Sequence, residues 1–135
     1  DYLQLMRSGD KYRDRSEYTR VSDVSDGLKS LARLMGVPVL AVSQLSRAVE
    51  SRSDKVPMLS DLRESGTLEQ AADAVIFVYR DEYYNPDTTE RPGLADVIVA
   101  KNKNGRTGRC TLRFEKRCAR FEAVTLETVD LGEYL

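Results

Sequence analysis

Ala95-Asp-Val-Ile-Val-Ala100, followed by Lys101-Asn-Lys-Asn-Gly-Arg-Thr-Gly108 and Thr111-Leu-Arg-Phe114, is the stretch on which the fold turns. The first segment is a short apolar run and predicts a strand buried in a sheet. The second is dense in turn formers, and its Asn104-Gly105 pair is a strong hairpin signal because both residues tolerate positive φ. The third alternates apolar with polar residues, as does Ala119-Arg-Phe121, and that alternation predicts half-exposed antiparallel strands. The C-terminal edge of the sheet is therefore expected to be an antiparallel hairpin.

Working back along the chain, Ala74-Val-Ile-Phe-Val-Tyr79 and Val37-Pro-Val-Leu-Ala-Val42 are two further continuous apolar runs. Both predict strands buried on two faces, and Pro38 is tolerable close to a strand start. Ser22 begins a helix-like stretch: it can cap the N-terminus, and Asp23 and Asp26 suit the positive end of the dipole. Val24, Leu28, Leu31, Leu34 and Met35 fall on one face, and Gly36 supplies the stop. Leu59 to Ala72 should hold a loop and a short helix, and the acidic, proline-bearing Asp81 to Gly93 a surface loop. Core strands that are parallel, closed by an antiparallel hairpin, make an α/β layout with a mainly parallel sheet. Residues 1–122 read as one domain portion and 123–135 as a loosely ordered tail.

At 135 residues, 32% charged and 41% hydrophobic, the composition is that of a soluble globular domain. No apolar run reaches bilayer-spanning length, so no membrane role is expected. The opening Asp-Tyr is neither a start nor a signal sequence, and a chain opening mid-pattern is expected to be a fragment. There is no histidine, which rules out a Ser-His-Asp triad or a histidine zinc site within these residues. Cys110 and Cys118 stand eight positions apart, which fits neither a zinc ribbon nor a redox pair, and they read as packing residues.

The net charge of −1 hides a segregation. From Lys101 to Arg120 eight basic residues face only Glu115, whereas Phe121 to Leu135 carry four acids and no base. Such a block beside a turn is a footprint for phosphate, of a nucleotide or of nucleic acid; taken alone, a solvated charged face is the better explanation.

Several residues could carry chemistry. Asp1 would lie at the carboxyl end of a core strand, where open α/β sheets bind ligands and P-loop ATPases hold magnesium. Gln44 follows another core strand; its amide could touch a γ-phosphate or attacking water, or simply cap a helix. Arg63 could neutralise a phosphate, and Gly66 could let the backbone approach another. Arg63 and Glu64 could equally pair with neighbours on the surface. Lys101 and Lys103 alternate on an extended strand, so both ammonium groups should reach the same side.

Asp1-Tyr-Leu-Gln-Leu-Met6, Val42-Ser-Gln-Leu-Ser-Arg47, Pro57-Met-Leu-Ser-Asp-Leu-Arg-Glu-Ser-Gly-Thr-Leu-Glu-Gln70 and Ala100-Lys-Asn-Lys-Asn-Gly-Arg-Thr-Gly108 together resemble the replicative DNA helicases of the DnaB type. The four motifs stand in that family's order and at about its spacing, over roughly Asp1 to Phe121, and Asp-Leu-Arg-Glu-Ser-Gly is the most specific. The resemblance implies the C-terminal portion of a RecA-like P-loop ATPase core. It also implies ATP and Mg as cofactors, cytoplasmic location, a homo-hexamer working on single-stranded DNA, and a primase and a helicase loader as partners.

By the same resemblance Asp1 belongs to the magnesium site and Gln44 is the γ-phosphate sensor. Arg63, Glu64 and Gly66 map onto the DNA-contacting loop of the central channel. No aromatic residue stands in that loop, so backbone tracking rather than base stacking is the expected mode. Lys101 and Lys103 map onto the pair that reaches an adjacent subunit's nucleotide. The second of these is usually an arginine finger; here lysine supplies a point charge instead of a planar fork. Arg106 in the turn could substitute for it, or the motor could be a weakened one. No Gly-x-x-x-x-Gly-Lys-Ser/Thr appears, since Gly105 and Gly108 are too close together, so these residues alone are expected to be inactive. The rival readings are another RecA-fold ATPase, such as a recombinase, and a non-catalytic half-domain that binds DNA or a partner. A phosphate loop upstream of Asp1 would favour the helicase, and its absence from the gene the half-domain.

Overall fold

The computed structural model describes residues 2–6 and 16–124, and of residues 17 and 63–66 only the backbone. The first long element is helix α1, Glu17–Met35. Its cap is Ser16, whose hydroxyl accepts the Thr19 N–H at 3.3 Å, so the helix begins six residues before the expected cap at Ser22. The polar first turn is compatible with a helix because Val21, 2% exposed, and Ser25 seat it. The C-terminus ends as anticipated: Gly36 takes a left-handed conformation, φ 63°, and its N–H donates to Ala32 O.

The buried stripe differs from the expected one. Val21 and Ser25 point inward, Val24 and Leu28 are half-buried, and Leu31, Leu34 and Met35 are exposed, Leu34 at 82%. An amphipathic face is buried only where another element covers it, and among the described residues nothing covers the last turns of α1.

The same physics corrects the reading of Val37–Val42. The run joins no ladder and forms no helix among the described residues, and Leu40 is 90% exposed. Its main-chain bonds are Val37 N–H to Ala32 O of α1 at 3.1 Å and, from a 3-10 turn at Leu3–Leu5, Leu3 N–H to Val42 O at 2.7 Å.

After a short helix α2, Ala48–Ser51, the chain forms a 3-10 turn, Leu59–Ser65, that runs directly into helix α3, Gly66–Ala71. Arg52 and Asp61 brace this region. The guanidinium donates to Asp61 Oδ1 at 2.9 Å and Oδ2 at 3.1 Å, and also to the carbonyls of Asp54 and Val56. Asp61 is 4% exposed, so this pairing meets the cost of burying its charge.

Four strands follow: β1 Ala74–Tyr79, β2 Leu94–Asn102, β3 Gly108–Glu115 and β4 Arg120–Ala123. They lie in sheet order β1-β2-β3-β4, and every pairing among them is antiparallel. The hairpins at the C-terminal edge form as expected. The second and third apolar runs, read as parallel core strands, instead pair antiparallel as β1 and β2. A continuous apolar run reports burial, not strand direction, and the 81–93 connection runs back to the near edge. That connection carries a short helix α4, Asp81–Tyr84, within the expected surface loop. Within β1, Phe77 and Tyr79 are buried, while Ile76 and Val78 are each 54% exposed.

The described core is small: Leu3, Val21, Val49, Leu62, Phe77, Tyr79 and Ala95. Cys110 and Cys118 are both exposed and unbonded, contrary to the packing role expected; Cys118 lies in the tight β3–β4 turn, whose side chains face solvent. Asp1 and residues 125–135, most of the anticipated tail, lie outside the described residues.

Candidate functional site

Gln44 follows the exposed run Val37–Val42 and is itself exposed. Its backbone is held by Gln4, whose amide nitrogen donates to Gln44 O at 3.2 Å and to Ser43 Oγ at 3.0 Å. Gln4 Oε1 accepts the Gln44 N–H at 3.2 Å. A side-chain amide offers a donor and an acceptor together, so one residue clamps the strand-like segment from both sides. Gln4 stands in the first of the four motifs, yet nothing in that motif marked it as the residue that holds Gln44.

Two residues further on, Ser46 N–H donates to Asp61 O at 2.9 Å. The Gln44 segment is thus tied directly to the 3-10 turn that carries Arg63. Arg63 and Glu64 lie on that turn, and Gly66 opens α3, so the expected loop is helical in its backbone. Their side chains lie outside what is described.

Lys101 lies in β2, and Lys103 just beyond its end rather than on the strand. Val75 faces Lys101 but Ile76 faces Val99, so Ala100 is an extra residue, a bulge, immediately before Lys101. Bulges re-aim the side chain that follows them. Here Lys101 Nζ donates to Glu69 O, one of the last carbonyls of α3, which have no partner within the helix.

Lys103 Nζ pairs with Asp73 Oδ1 at 3.1 Å, and Lys103 N–H donates to Asp73 O at 2.8 Å. Lys29 of α1 pairs with the other oxygen of the same carboxylate. Lys29 first, and Lys103 second, hold the Asp73 carboxyl below the ordinary carboxylate range. Both candidate lysines therefore turn toward one region, the α3–β1 junction, as expected, but bulge and turn place them there rather than simple alternation.

Arg106 is exposed in the connecting turn, and its carbonyl accepts from Asn102 Nδ2 at 3.3 Å. Asn102 Oδ1 also accepts the Asn104 N–H at 3.2 Å. A Cβ at Gly105 would stand 2.7 Å from Asn102 Nδ2, the end of a side chain that can turn aside, and neither Asn104 nor Gly105 takes the positive φ that the Asn-Gly pair tolerates. Among the described residues Gln44 shares no bonding partner with Lys101 or Lys103.

A second charged cluster was not legible in the sequence. Asp96, 1% exposed, accepts from Arg91 at 2.7 and 2.8 Å, from Thr111 Oγ1 at 2.7 Å, and from Arg109. Arg91 above all, with Arg109 and Thr111 adding, holds its carboxyl well below the ordinary range although burial pushes it up. Beside it the Tyr79 hydroxyl donates to Asp81 at 2.9 Å; burial first, then that bond, push the phenol up to about 12. This network pins the 81–93 connection to β2 and β3 on the face that carries the buried Tyr79.

The profile of the family described as "DnaB-like helicase C terminal domain" matches residues 1–123. The chain belongs to that family. It is 49% identical over 132 residues to the "Replicative DNA helicase DnaC" of Bacillus subtilis (strain 168), covering 98% of this chain and 29% of the relative. It is also 49% identical over 121 residues to the "Replicative DNA helicase DnaB" of Geobacillus stearothermophilus, covering 90% of this chain and 26% of the relative. The chain thus spans little more than a quarter of these DnaB-type relatives.

Among solved structures, one described as "The Structure Of A DnaB-Like Replicative Helicase And Its Interactions With Primase" superposes with a TM-score of 0.86 at 46% identity, over 93% of this chain and 30% of that one. A second, described as an ATPase domain, gives the same TM-score of 0.86 and 46% identity, over 93% of this chain and 43% of that one. The fold is accordingly that of DnaB-like ATPase domains.

Proposed function

We propose that the protein is an ATP-dependent replicative DNA helicase that translocates on single-stranded DNA and unwinds the duplex at the replication fork. The observation that carries the site assignment is that different elements hold the two sets of candidates. Gln44 is held by Gln4 and tied to the Arg63 turn, whereas Lys101 and Lys103 gather at the α3–β1 junction. The family resemblance assigns the two sets to different nucleotides. In a ring, Gln44 would attend the nucleotide of its own subunit, and the hairpin lysines that of the next subunit.

Lys101, Lys103 and Arg106 supply only donors, and Gln44 adds an amide donor beside its acceptor oxygen, which fits the phosphates of ATP and an attacking water. Magnesium is assigned to Asp1 on the family resemblance; Asp1 lies outside the described residues. When bound, the ion neutralises charge on the β- and γ-phosphates. Lys103 stabilises charge building on the transferring phosphoryl group, with Lys101 beside it. The Gln44 amide senses whether the γ-phosphate is present, and Ser46 and Asp61 pass its position to Arg63, Glu64 and Gly66 on the DNA.

The rest of the reading rests on the family. The domain portion is residues 1–122 and the tail 123–135. Val37–Val42 is a strand of the parallel part of a RecA-like sheet, its ladder partners lying in other parts of the full protein; its exposed apolar side chains support this. A homo-hexamer, a primase, a helicase loader and cytoplasmic location complete it. Among the described residues no helix is long and apolar enough to cross a membrane.

Two substitutions in the full-length protein test these assignments. Lys103→Ala should lower ATP turnover by ten-fold or more, about 1.4 kcal/mol per decade, with nucleotide binding nearly intact. Unaltered turnover would remove Lys103 from the site and point to Arg106. Arg63→Ala should weaken single-strand binding and lower the salt slope by roughly one phosphate contact. Unchanged affinity and slope would show that the DNA-contacting segment lies elsewhere.

A further inference from the structure

Lys103 stands on a turn, and a lysine there has four side-chain torsions free; an ammonium of that kind is a poorly aimed charge. In this structure it is not left free. Asp73 holds Lys103 twice, through its carboxylate to Nζ at 3.1 Å and through its carbonyl to the main-chain N–H at 2.8 Å. An ammonium has three donors, so one bond to Asp73 leaves two for a phosphate oxygen. A bare carboxylate beside an incoming phosphate would repel it. Here Lys29, reaching from α1, pairs with the other carboxylate oxygen, and the three side chains together keep one positive charge. Asp73 is 57% exposed and Lys103 45% exposed, so the group is open to a partner from outside the chain.

We propose that Asp73 is the positioning residue for Lys103, aiming its ammonium at an anionic phosphoryl group presented by a neighbouring molecule, while Lys29 cancels the carboxylate's repulsion. This rests on the reading of Lys103 as the charge that faces an adjacent subunit's nucleotide. It recasts the helix-to-hairpin contact as part of the reaction's geometry: α1 sets Lys29, Lys29 sets Asp73, and Asp73 sets Lys103. It also accounts for how lysine can serve where a planar fork would aim itself.

The test is a double-substitution cycle on DNA-stimulated ATP hydrolysis by the full-length protein. Asp73→Asn should lower kcat three- to ten-fold with the KM for ATP unchanged, and Asp73→Glu should restore most of the loss. In a Lys103→Ala background, Asp73→Asn should have no further effect, because the residue acts only through that ammonium. Thermal unfolding of each variant reports folding separately. If Lys103→Ala lowers turnover but Asp73→Asn leaves kcat unchanged, or lowers it equally in both backgrounds, Asp73 does not position Lys103 and this inference falls alone. If Lys103→Ala leaves turnover unchanged, the reading of the finger falls, and this inference with it.

Discussion

Single residues decide both stability and aim here, and Asp96 shows how. It is almost fully buried and ionised, tolerated because two guanidiniums and a threonine hydroxyl satisfy it. Both arginines remain partly in water, at 37% and 42% exposure, so the network is worth less than a fully buried one. Asp96→Asn is predicted to destabilise the domain by about 2 kcal/mol, below the ~3–5 kcal/mol of a fully buried broken pair. Urea unfolding should show a lower midpoint at unchanged slope. The folded carboxyl titrates below the unfolded one, so its contribution is complete above the unfolded value of about 4 and is lost as pH falls below it. Midpoints measured from pH 7 down to 3 should therefore begin to draw together for wild type and variant below about pH 4; a constant gap would contradict this. Nothing in the sequence marked Asp96, since an acid inside an apolar run identifies its partners only once β3 and the 81–93 connection are in place. Lys103 and Gln44 were legible as candidates from their motifs, whereas Asp73 and Gln4, which hold them, were not.

At the scale of elements, what the sequence told depended on how local the signal was. Gly36 was readable as a helix stop because the left-handed conformation is a property of one residue, and the structure has φ 63° there. Gly36→Ala should cost about 1 kcal/mol from the left-handed strain alone, since a Cβ at Gly36 meets no atom within 4 Å. A loss above about 3 kcal/mol in thermal or urea unfolding would mean that the site is more crowded than it is here. The start of α1 was misplaced because Ser16 and Ser22 are both acceptable caps, and Val21 decides between them by burial. The hairpin was legible from Asn104-Gly105. Neither the bulge at Ala100 nor the Asn102 bonds that shape the turn have a sequence signature, and those features set where the lysines go. Strand direction was misread because parallel and buried antiparallel strands share the same apolar pattern.

The molecule as a whole carries apolar surface that its own described residues do not cover: Leu31, Leu34 and Met35 on α1, Val37 to Val42 beyond it, and Ile76 and Val78 on β1. Exposed apolar surface of this kind marks a face made to meet other protein. It fits a chain that spans 29% and 26% of its replicative helicase relatives. The central claim is that one subunit's magnesium side and the next subunit's hairpin lysine make one active site. Mixed rings test it most directly. Full-length subunits carrying Asp1→Asn should be nearly inactive alone, as should subunits carrying Lys103→Ala. Mixed in equal amounts and reassembled, random head-to-tail pairing leaves roughly a quarter of the interfaces with both intact halves. ATP hydrolysis should recover toward that fraction of the wild-type rate if sites act independently; a mixture no more active than its two components would contradict a site shared between neighbours.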